Sequence, residues 1–289
     1  MSRLLTVSLV ALLLLATDLC GPCAALAADE PKTFDLNIIT FNILVELSVP
    51  KGVGTWNERK DLCIGLLREK NPDLIGFQEP TPRQVKQLRE ALPEYEAIFY
   101  DQKKPGYTDA TLFFKKDVFE LLDHGHWWLS PTPDRVSVGF GNALPRILVW
   151  AKLKHRATGR ELYAFNTHFD NSAPSQERMA ELCEKQFVPF LEQKLPMFFF
   201  GDFNTTQKRG DYPRLTSNGW RDSYVVSDIA SDDGRDDNIT TMFDDNIRID
   251  HIFYHGEGIE ALTWQRLESP DPARPLSDHY PVQATFRVN

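Results

Sequence analysis

The sequence predicts an α/β fold, a four-layer sandwich in which two mixed β-sheets pack face to face and are flanked by helices. Three observations carry this. A strand–helix–strand–helix order opens near residue 36, a run of hairpin-like strands follows, and a second strand–helix–strand unit begins near residue 161 with further strands to the end. Regular strand–helix alternation throughout would instead predict a doubly wound parallel sheet. Hydrophobic residues make up 42% of the 289 and charged residues 25%, which is enough apolar material for a sizeable core. No repeat at solenoid periods and no internal shift of composition divides the chain.

Taken in order, Leu36 to Asn42 is rich in β-branched and aromatic residues and reads as a strand. Pro50, Gly52 and Gly54 mark a loop. Glu58 to Lys70 carries Leu62, Cys63, Leu66 and Leu67 at helical spacing, and Asn71-Pro72 stops that helix. Leu74 to Phe77 is a short apolar strand that delivers Gln78 and Glu79 to its end. Pro82 opens a second helix with Val85, Leu88 and Leu92 facing inward. Tyr95–Tyr100, Ala110–Lys115, Phe119–Leu129, Ile147–Lys154 and Glu161–His168 read as strands, the last two joined by a Thr158-Gly159 turn. Ser175 to Leu195 is a helix ended by Pro196. Met197 to Phe200 is a buried strand running into Gly201-Asp202. Ile249–Tyr254, Ala261–Leu267 and Val282–Val288 complete the set. Asp228 to Asp245, polar and acidic, reads as a surface loop.

Residues 1–27 predict a secretory signal peptide: Arg3, an apolar run from Leu4 to Ala16, then Ala25-Leu26-Ala27-Ala28. The run is short for a bilayer span, so no stable membrane span is expected; an uncleaved anchor is the alternative. Cys20 and Cys23 fall within this leader. Cys63 and Cys183 remain, both among apolar residues at helical spacing, and read as buried thiols, with a single Cys63–Cys183 bridge left open. The formal charge is −9, which disfavours loose binding to a polyphosphate backbone, although a local basic groove or a bound metal can reverse the field at a site.

The chemistry gathers at strand ends. Asn42 ends the first strand and Glu79 follows the second. His168 and Asp170 follow the Tyr163 strand, Asp202 and Asn204 the Phe198 strand. Asp250 and His251 open a later strand, and Asp278-His279 precede the last. Strand ends of one sandwich can converge on one rim. Carboxylates, carboxamides and imidazoles suit Mg²⁺ or Mn²⁺ better than zinc, and hydrolysis of a phosphoester needs such a set. Each residue alone has an ordinary explanation: Asn42 as a turn residue, Glu79 before Pro80 as a helix-start acid. The joint occurrence carries the weight. His124, His126, His155 and His255 lack this setting and read as surface or structural.

These segments resemble the endonuclease/exonuclease/phosphatase superfamily, which includes pancreatic-type deoxyribonuclease, abasic-site endonucleases, inositol-polyphosphate 5-phosphatases and neutral sphingomyelinases. The matching runs are Ile39-Thr40-Phe41-Asn42, Ile75-Gly76-Phe77-Gln78-Glu79, Phe165-Asn166-Thr167-His168-Phe169-Asp170, Gly201-Asp202-Phe203-Asn204, Arg248-Ile249-Asp250-His251-Ile252 and Ser277-Asp278-His279-Tyr280-Pro281-Val282. They occur in the family's order across residues 28–289, which the resemblance reads as a single catalytic domain. Trp56-Asn57-Glu58-Arg59, Trp128-Leu129-Ser130 and Leu144-Pro145-Arg146 look like a secreted bacterial subgroup.

The resemblance implies Glu79 as principal metal ligand, with Asn42 and Asp278 holding one or two Mg²⁺ or Mn²⁺ ions. It implies Asp202 positioning the attacking water, Asn204 orienting water or phosphate, and His279, oriented by Asp250, on the scissile phosphate. His168 would lie across the phosphate, supported by Asp170, with Arg146 as a further phosphate contact. Tyr107 to Thr111, His251 and Thr241-Met242-Phe243 depart from the family pattern, which puts the contacts on the substrate side in doubt. The expected activity is hydrolysis of a phosphodiester or phosphomonoester by an exported enzyme, with a small, sugar- or lipid-linked phosphate favoured. A nuclease on DNA or RNA is the alternative. Its basic doublets, Lys103-Lys104, Lys115-Lys116 and Lys208-Arg209, form no stripe. A phosphate-binding module without turnover is the alternative of another class; Glu79, Asp202 and His279, whose loss would favour it, are all present. The oligomeric state is not set by the sequence.

Overall fold

The computed structural model describes residues 33–100, 109–209, 211–227, 241–242 and 247–289. The expected signal peptide with Cys20 and Cys23, the Lys103 to Thr108 stretch and most of the 228–245 loop lie outside the described residues. In chain order the elements are β1 (Phe34–Asn42), α1 (Trp56–Lys70), β2 (Leu74–Gln78), α2 (Pro82–Ala91), β3 (Tyr95–Phe99), β4 (Ala110–Lys115), β5 (Phe119–Trp128), β6 (Ile147–His155) and β7 (Glu161–His168). Then come α3 (Ala173–Leu191), β8 (Met197–Asp202), α4 (Tyr212–Leu215), β9 (Arg221–Asp222), α5 (Ser223–Val226), β10 (Asp250–His255), β11 (Ile259–Arg266) and β12 (Val282–Val288).

The strands form two mixed six-stranded sheets, ordered β11-β12-β1-β2-β4-β3 and β5-β6-β7-β8-β10-β9. Each has one parallel pair at its centre. β1 and β2 are joined through α1, β7 and β8 through α3, and the neighbouring strands are antiparallel. The alternation of side chains along each strand sorts the apolar residues into layers. Ile38, Phe198, Phe200 and Phe286 point into the space between the sheets. Ile39, Phe41 and Phe77 face outward onto Cys63, Leu66 and Leu67 of α1 and Leu88 of α2. Phe165 and Phe199 face outward onto Met179, Cys183 and Phe187 of α3. The unbroken Met197-Phe198-Phe199-Phe200 run is thus explained, because β8 is covered on both faces. The expected four layers are present.

Local signals agree with these elements. In α2, Thr81 Oγ1 accepts the Gln84 N–H at 3.2 Å and Gln84 Oε1 returns to the Thr81 N–H at 2.9 Å, a capping box with Pro82 in the first turn. Asn71, at φ 47°, closes α1. α3 ends at Leu191, four residues short of the expected end; Pro189 within it lacks an N–H and weakens the last turn. Helices α4 and α5 and strand β9 are too short for periodicity to reveal, and the sequence reading has none of them.

One polar contact crosses the apolar layer just beneath the rim described next. Asn166 of β7 donates to the carbonyls of Phe77 (3.0 Å) and Thr111 (2.9 Å), and accepts from Gln78 Nε2 at 2.7 Å. Gly76 makes room for it: a Cβ there would lie 2.5 Å from Asn166 Oδ1. The contact pins the two sheets to one another near the edge where Asn42 and Asp202 lie.

Candidate active site

Strand direction brings the candidates to one edge. β1 and β2 run parallel, so Asn42 pairs with Gln78 and Glu79 follows at the end. β12 runs antiparallel to β1, so Asp278 and His279 enter at that same end. In the other sheet His168 and Asp202 are in register on parallel strands, and Asp250 faces Asp202 across an antiparallel pair.

Asp202 Oδ2 is the hub. It accepts Asn42 Nδ2 at 3.1 Å and lies 3.4 Å from His168 Nε2 and 3.7 Å from His279 Nε2. Oδ1 accepts the Asn204 N–H at 2.8 Å. Asn204 adopts φ 50°, and its side-chain amide donates to the Phe169 carbonyl at 2.9 Å, which ties the turn after β8 to the end of β7. Asn42 Nδ2 also faces Glu79 Oε1 at 3.4 Å and His279 Nε2 at 3.5 Å, while Oδ1 accepts the Leu44 N–H at 3.1 Å. Glu79 Oε2 accepts the Val45 N–H at 3.0 Å. Its backbone sits at φ 64°, a strained position for a side-chain-bearing residue, held by an N–H bond to the Asp109 carbonyl at 2.8 Å.

His279 Nδ1 lies 2.9 Å from Asp250 Oδ2. Burial of the ring opposes charge. The carboxylates of Asp250, then Asp202, then Asp278 outweigh that cost, and its pKa is pushed up from an ordinary 6.5 to about 10. The ring is therefore an imidazolium at neutral pH, with Nδ1–H on Asp250 and Nε2–H on the side of Asp202 Oδ2, 3.7 Å away. Thr241 steadies this pair: its Oγ1 accepts the N–H groups of Ile249 (3.0 Å) and Asp250 (3.2 Å), its carbonyl accepts the Tyr280 N–H (2.8 Å), and Met242 bridges to His279. At Thr241 the reading of 228–245 as a surface loop is wrong. The residue is fully buried, because its hydroxyl and carbonyl are both consumed beneath the site.

His168 is held from the other side. Its Nδ1 lies 2.8 Å from Asp109 Oδ1, and Arg146 Nη1 donates to the same Asp109 oxygen at 2.9 Å. Arg146 Nε lies 3.7 Å from Asp170 Oδ2, and Asp170 Oδ1 accepts the Ser172 hydroxyl at 2.6 Å. Arg146, expected on the phosphate, is thus buried and shared among Asp109, Asp170 and His168. Asp109 itself, fully buried at φ 52°, is absent from the sequence reading except within a departing segment. Asp278 is half-buried, accepts the Ser277 hydroxyl at 3.1 Å, and lies within electrostatic reach of His279 and Arg59.

His251 takes a structural place: Nδ1 lies 2.8 Å from Arg248 Nη1 and 3.3 Å from Asp222 Oδ2, and Nε2 faces the Thr205 carbonyl at 2.9 Å. Cys63 and Cys183 are free and buried, one under each outer helix layer, and burial pushes the Cys63 thiol up to about 12. No helix among the described residues is long and apolar enough to cross a membrane.

The hard oxygen donors fit a divalent cation. Asp202 and Asp250 carboxylate oxygens lie within 4.8 Å of one another, and Asp250 Oδ1 is buried with no hydrogen-bond partner among the described residues; His279, charged and bonded to Asp250, offers an ion no lone pair. The set Asn42, Glu79 and Asp278 expected from the sequence adjoins this cluster through Asn42.

Two carboxylate–imidazole pairs converging on one carboxylate at the edge of a double sheet define a phosphoester hydrolase. The profile of the Endonuclease/Exonuclease/phosphatase family matches residues 39–279, and the chain belongs to that family. An endonuclease/exonuclease/phosphatase from Bacteroides vulgatus is similar in structure, with 28% identity, a TM-score of 0.78, and coverage of 89% of this chain and 100% of that one. A mannosyl-6-phosphatase from Bacteroides thetaiotaomicron VPI-5482 is 27% identical with a TM-score of 0.75, over 87% of this chain and 99% of that one. In sequence, an uncharacterized protein of Acanthamoeba polyphaga mimivirus is 28% identical over 218 residues, 68% of this chain and 79% of that protein.

Proposed function

We propose that this hydrolase is exported, depends on Mg²⁺ or Mn²⁺, and acts on a small organic phosphoester, with sugar- or lipid-linked phosphate favoured over nucleic acid. The observation that carries the reading is Asp202 Oδ2, met by Asn42, His168 and His279 in one buried cluster. Asn42, Glu79 and Asp278 would hold the ion, which when bound polarises a phosphoryl oxygen and offsets developing charge. Asp202, fixed by the Asn204 N–H, positions the attacking water. His279, held charged by Asp250, donates from Nε2 to a phosphoryl oxygen as charge builds there. His168, its ring fixed by Asp109, donates across the phosphate, and Arg146 with Asp170 keeps that pair in place.

The small substrate is supported by the net charge of −9, by the mannosyl-6-phosphatase likeness, and by a 190 Å³ cavity beside His279. Its lining mixes Glu268, Ser269 and Tyr280 with Pro272 and Pro275, which suits a compact polar group better than a duplex. The apolar run from Leu4 to Ala16 and the Ala25-Leu26-Ala27 pattern after it support export, with Ala28 expected as the first residue of the exported form. The test is turnover of bis-p-nitrophenyl phosphate, p-nitrophenyl phosphate and hexose phosphates with Mg²⁺ or Mn²⁺, and its loss in EDTA. Absence of turnover on all of these and on DNA with either metal would refute the reading.

A further inference from the structure

Arg59 is the most deeply buried cation of the outer helix layer, with 1% of its surface exposed. Its partners are main-chain carbonyls: Nη1 donates to Ile43 (2.9 Å) and Leu276 (2.5 Å), Nη2 to Leu44 (3.5 Å) and Nε to Gly54 (3.2 Å). Among the described residues no carboxylate lies within ion-pair distance of it. Cys63, one helical turn further along α1, adds a thiol contact to the same Leu276 carbonyl at 3.4 Å. The Trp56 ring lies 5.6 Å from the Arg59 guanidinium carbon and Asp278 is within electrostatic reach, but no carboxylate among the described residues contacts it; burying a charge without a contacting counter-ion is costly.

The carbonyls it gathers lie in two stretches without regular structure. Ile43 and Leu44 follow directly on Asn42, and Leu276 stands two residues before Asp278. Those stretches reach the rim from different parts of the chain, and neither Asn42 nor Asp278 is held to the other by a strand pair. The guanidinium spans both. We infer that Arg59 is a positioning residue for the metal site: it sets the spacing between Asn42 and Asp278, and its charge offsets the repulsion among the carboxylates before an ion enters. This rests on the reading of Asn42 and Asp278 as ligands given above.

A lysine keeps the charge but presents a single nitrogen, which cannot reach all these carbonyls in the guanidinium's fixed fork. Mn²⁺ binding by the full protein, followed by electron paramagnetic resonance of free ion, separates the possibilities. Arg59→Lys is expected to raise the Kd for Mn²⁺ about tenfold or more, in the range found when partners of metal ligands are altered. Turnover should recover as Mn²⁺ is raised, so that the metal activation constant moves more than kcat. A purely structural role would lower the folded fraction and the binding amplitude and leave Kd unchanged. Arg59→Met, which tolerates burial, carries the same expectation and guards against one variant failing to fold. Arg68→Ala, on the exposed face of the same helix, should bind Mn²⁺ as the parent does. Parent-like Kd in either folded Arg59 variant, or loss of folding in both, would overturn the proposal. Failure of the parent protein itself to bind Mn²⁺ would overturn the metal reading and this proposal with it.

Discussion

Replacing Asp250 by Asn tests the site at its most sensitive point. The change preserves shape and removes one charge, 2.9 Å from His279 Nδ1. Burial of His279 works against its charged form, and Asp250 is the largest influence opposing that burial. The rise from 6.5 to about 10 corresponds to about 5 kcal/mol favouring the imidazolium, at about 1.4 kcal/mol per pH unit. With Asp202 left as the main support, Asp250→Asn should bring the His279 pKa down by about 2 or more, a loss of roughly 3 kcal/mol. Turnover at pH 8 should fall about 10²- to 10³-fold, the scale of losing one preorganised donor to a developing oxyanion. The raised pKa also has a stability consequence with a definite sign. Protonation of His279 stabilises the fold fully below its unfolded value near 6.5, and that contribution is lost as pH rises through about 10. The stability gap between parent and Asp250→Asn should therefore be widest at pH 6 and close above pH 10. ¹⁵N-histidine NMR in EDTA reads the pKa directly, and urea unfolding at pH 6 and 10.5 reads the gap. A His279 that still titrates near 10 in Asp250→Asn would refute the reasoning.

Three further outcomes are expected. Gly201→Ala places a Cβ 2.1 Å from the Thr167 carbonyl at φ 150°, so it should cost on the order of 3 kcal/mol by urea midpoint, or prevent folding; an unchanged midpoint would contradict the β7–β8 register. Asp222, although burial opposes its charge, is held well below the usual carboxylate range by Arg248 and His251. Its stabilising effect is thus present above pH 4 and lost as pH falls through the lower folded value, and Asp222→Asn should cost about 3–5 kcal/mol at pH 7, with the gap to the parent narrowing steadily as pH falls below 4. Asp109→Asn should lower turnover, and the double variant with His168→Asn should be little worse than His168→Asn alone, because Asp109 acts through the ring; additive losses would give it a separate role.

Much of this site was legible in the sequence, for a physical reason. Asn42, Glu79, His168, Asp202 and Asp250 each stand directly at the end of a strand whose apolar run is unmistakable, and strand ends share a rim. What stayed hidden depends on contacts between distant segments. Asp109 precedes β4, and only the β2–β4 pairing shows that its carbonyl meets the Glu79 N–H and its carboxylate meets His168. Thr241 sits in a polar stretch whose composition argues for solvent, and nothing local shows that its hydroxyl serves two backbone groups beside Asp250. Arg146 carries a charge that suits a phosphate, but three neighbours from other segments occupy it. The short β9 holds Asp222, which also caps α5, yet these elements offer too few residues for any period to register.

The bridge between Asn166 and Gln78 has a mechanical consequence. Asn42 belongs to one sheet and Asp202 to the other, so the 3.1 Å bond between them measures how the two sheets are aligned. Sliding one sheet past the other by a single residue, about 3.3 Å, would take that bond out of reach while leaving most of the apolar layer buried. Catalysis is then a shear gauge for the whole sandwich. Substitutions among Phe198, Phe200 and Phe286, in the apolar layer between the sheets, should silence the enzyme at urea concentrations where tryptophan fluorescence still reports both sheets intact.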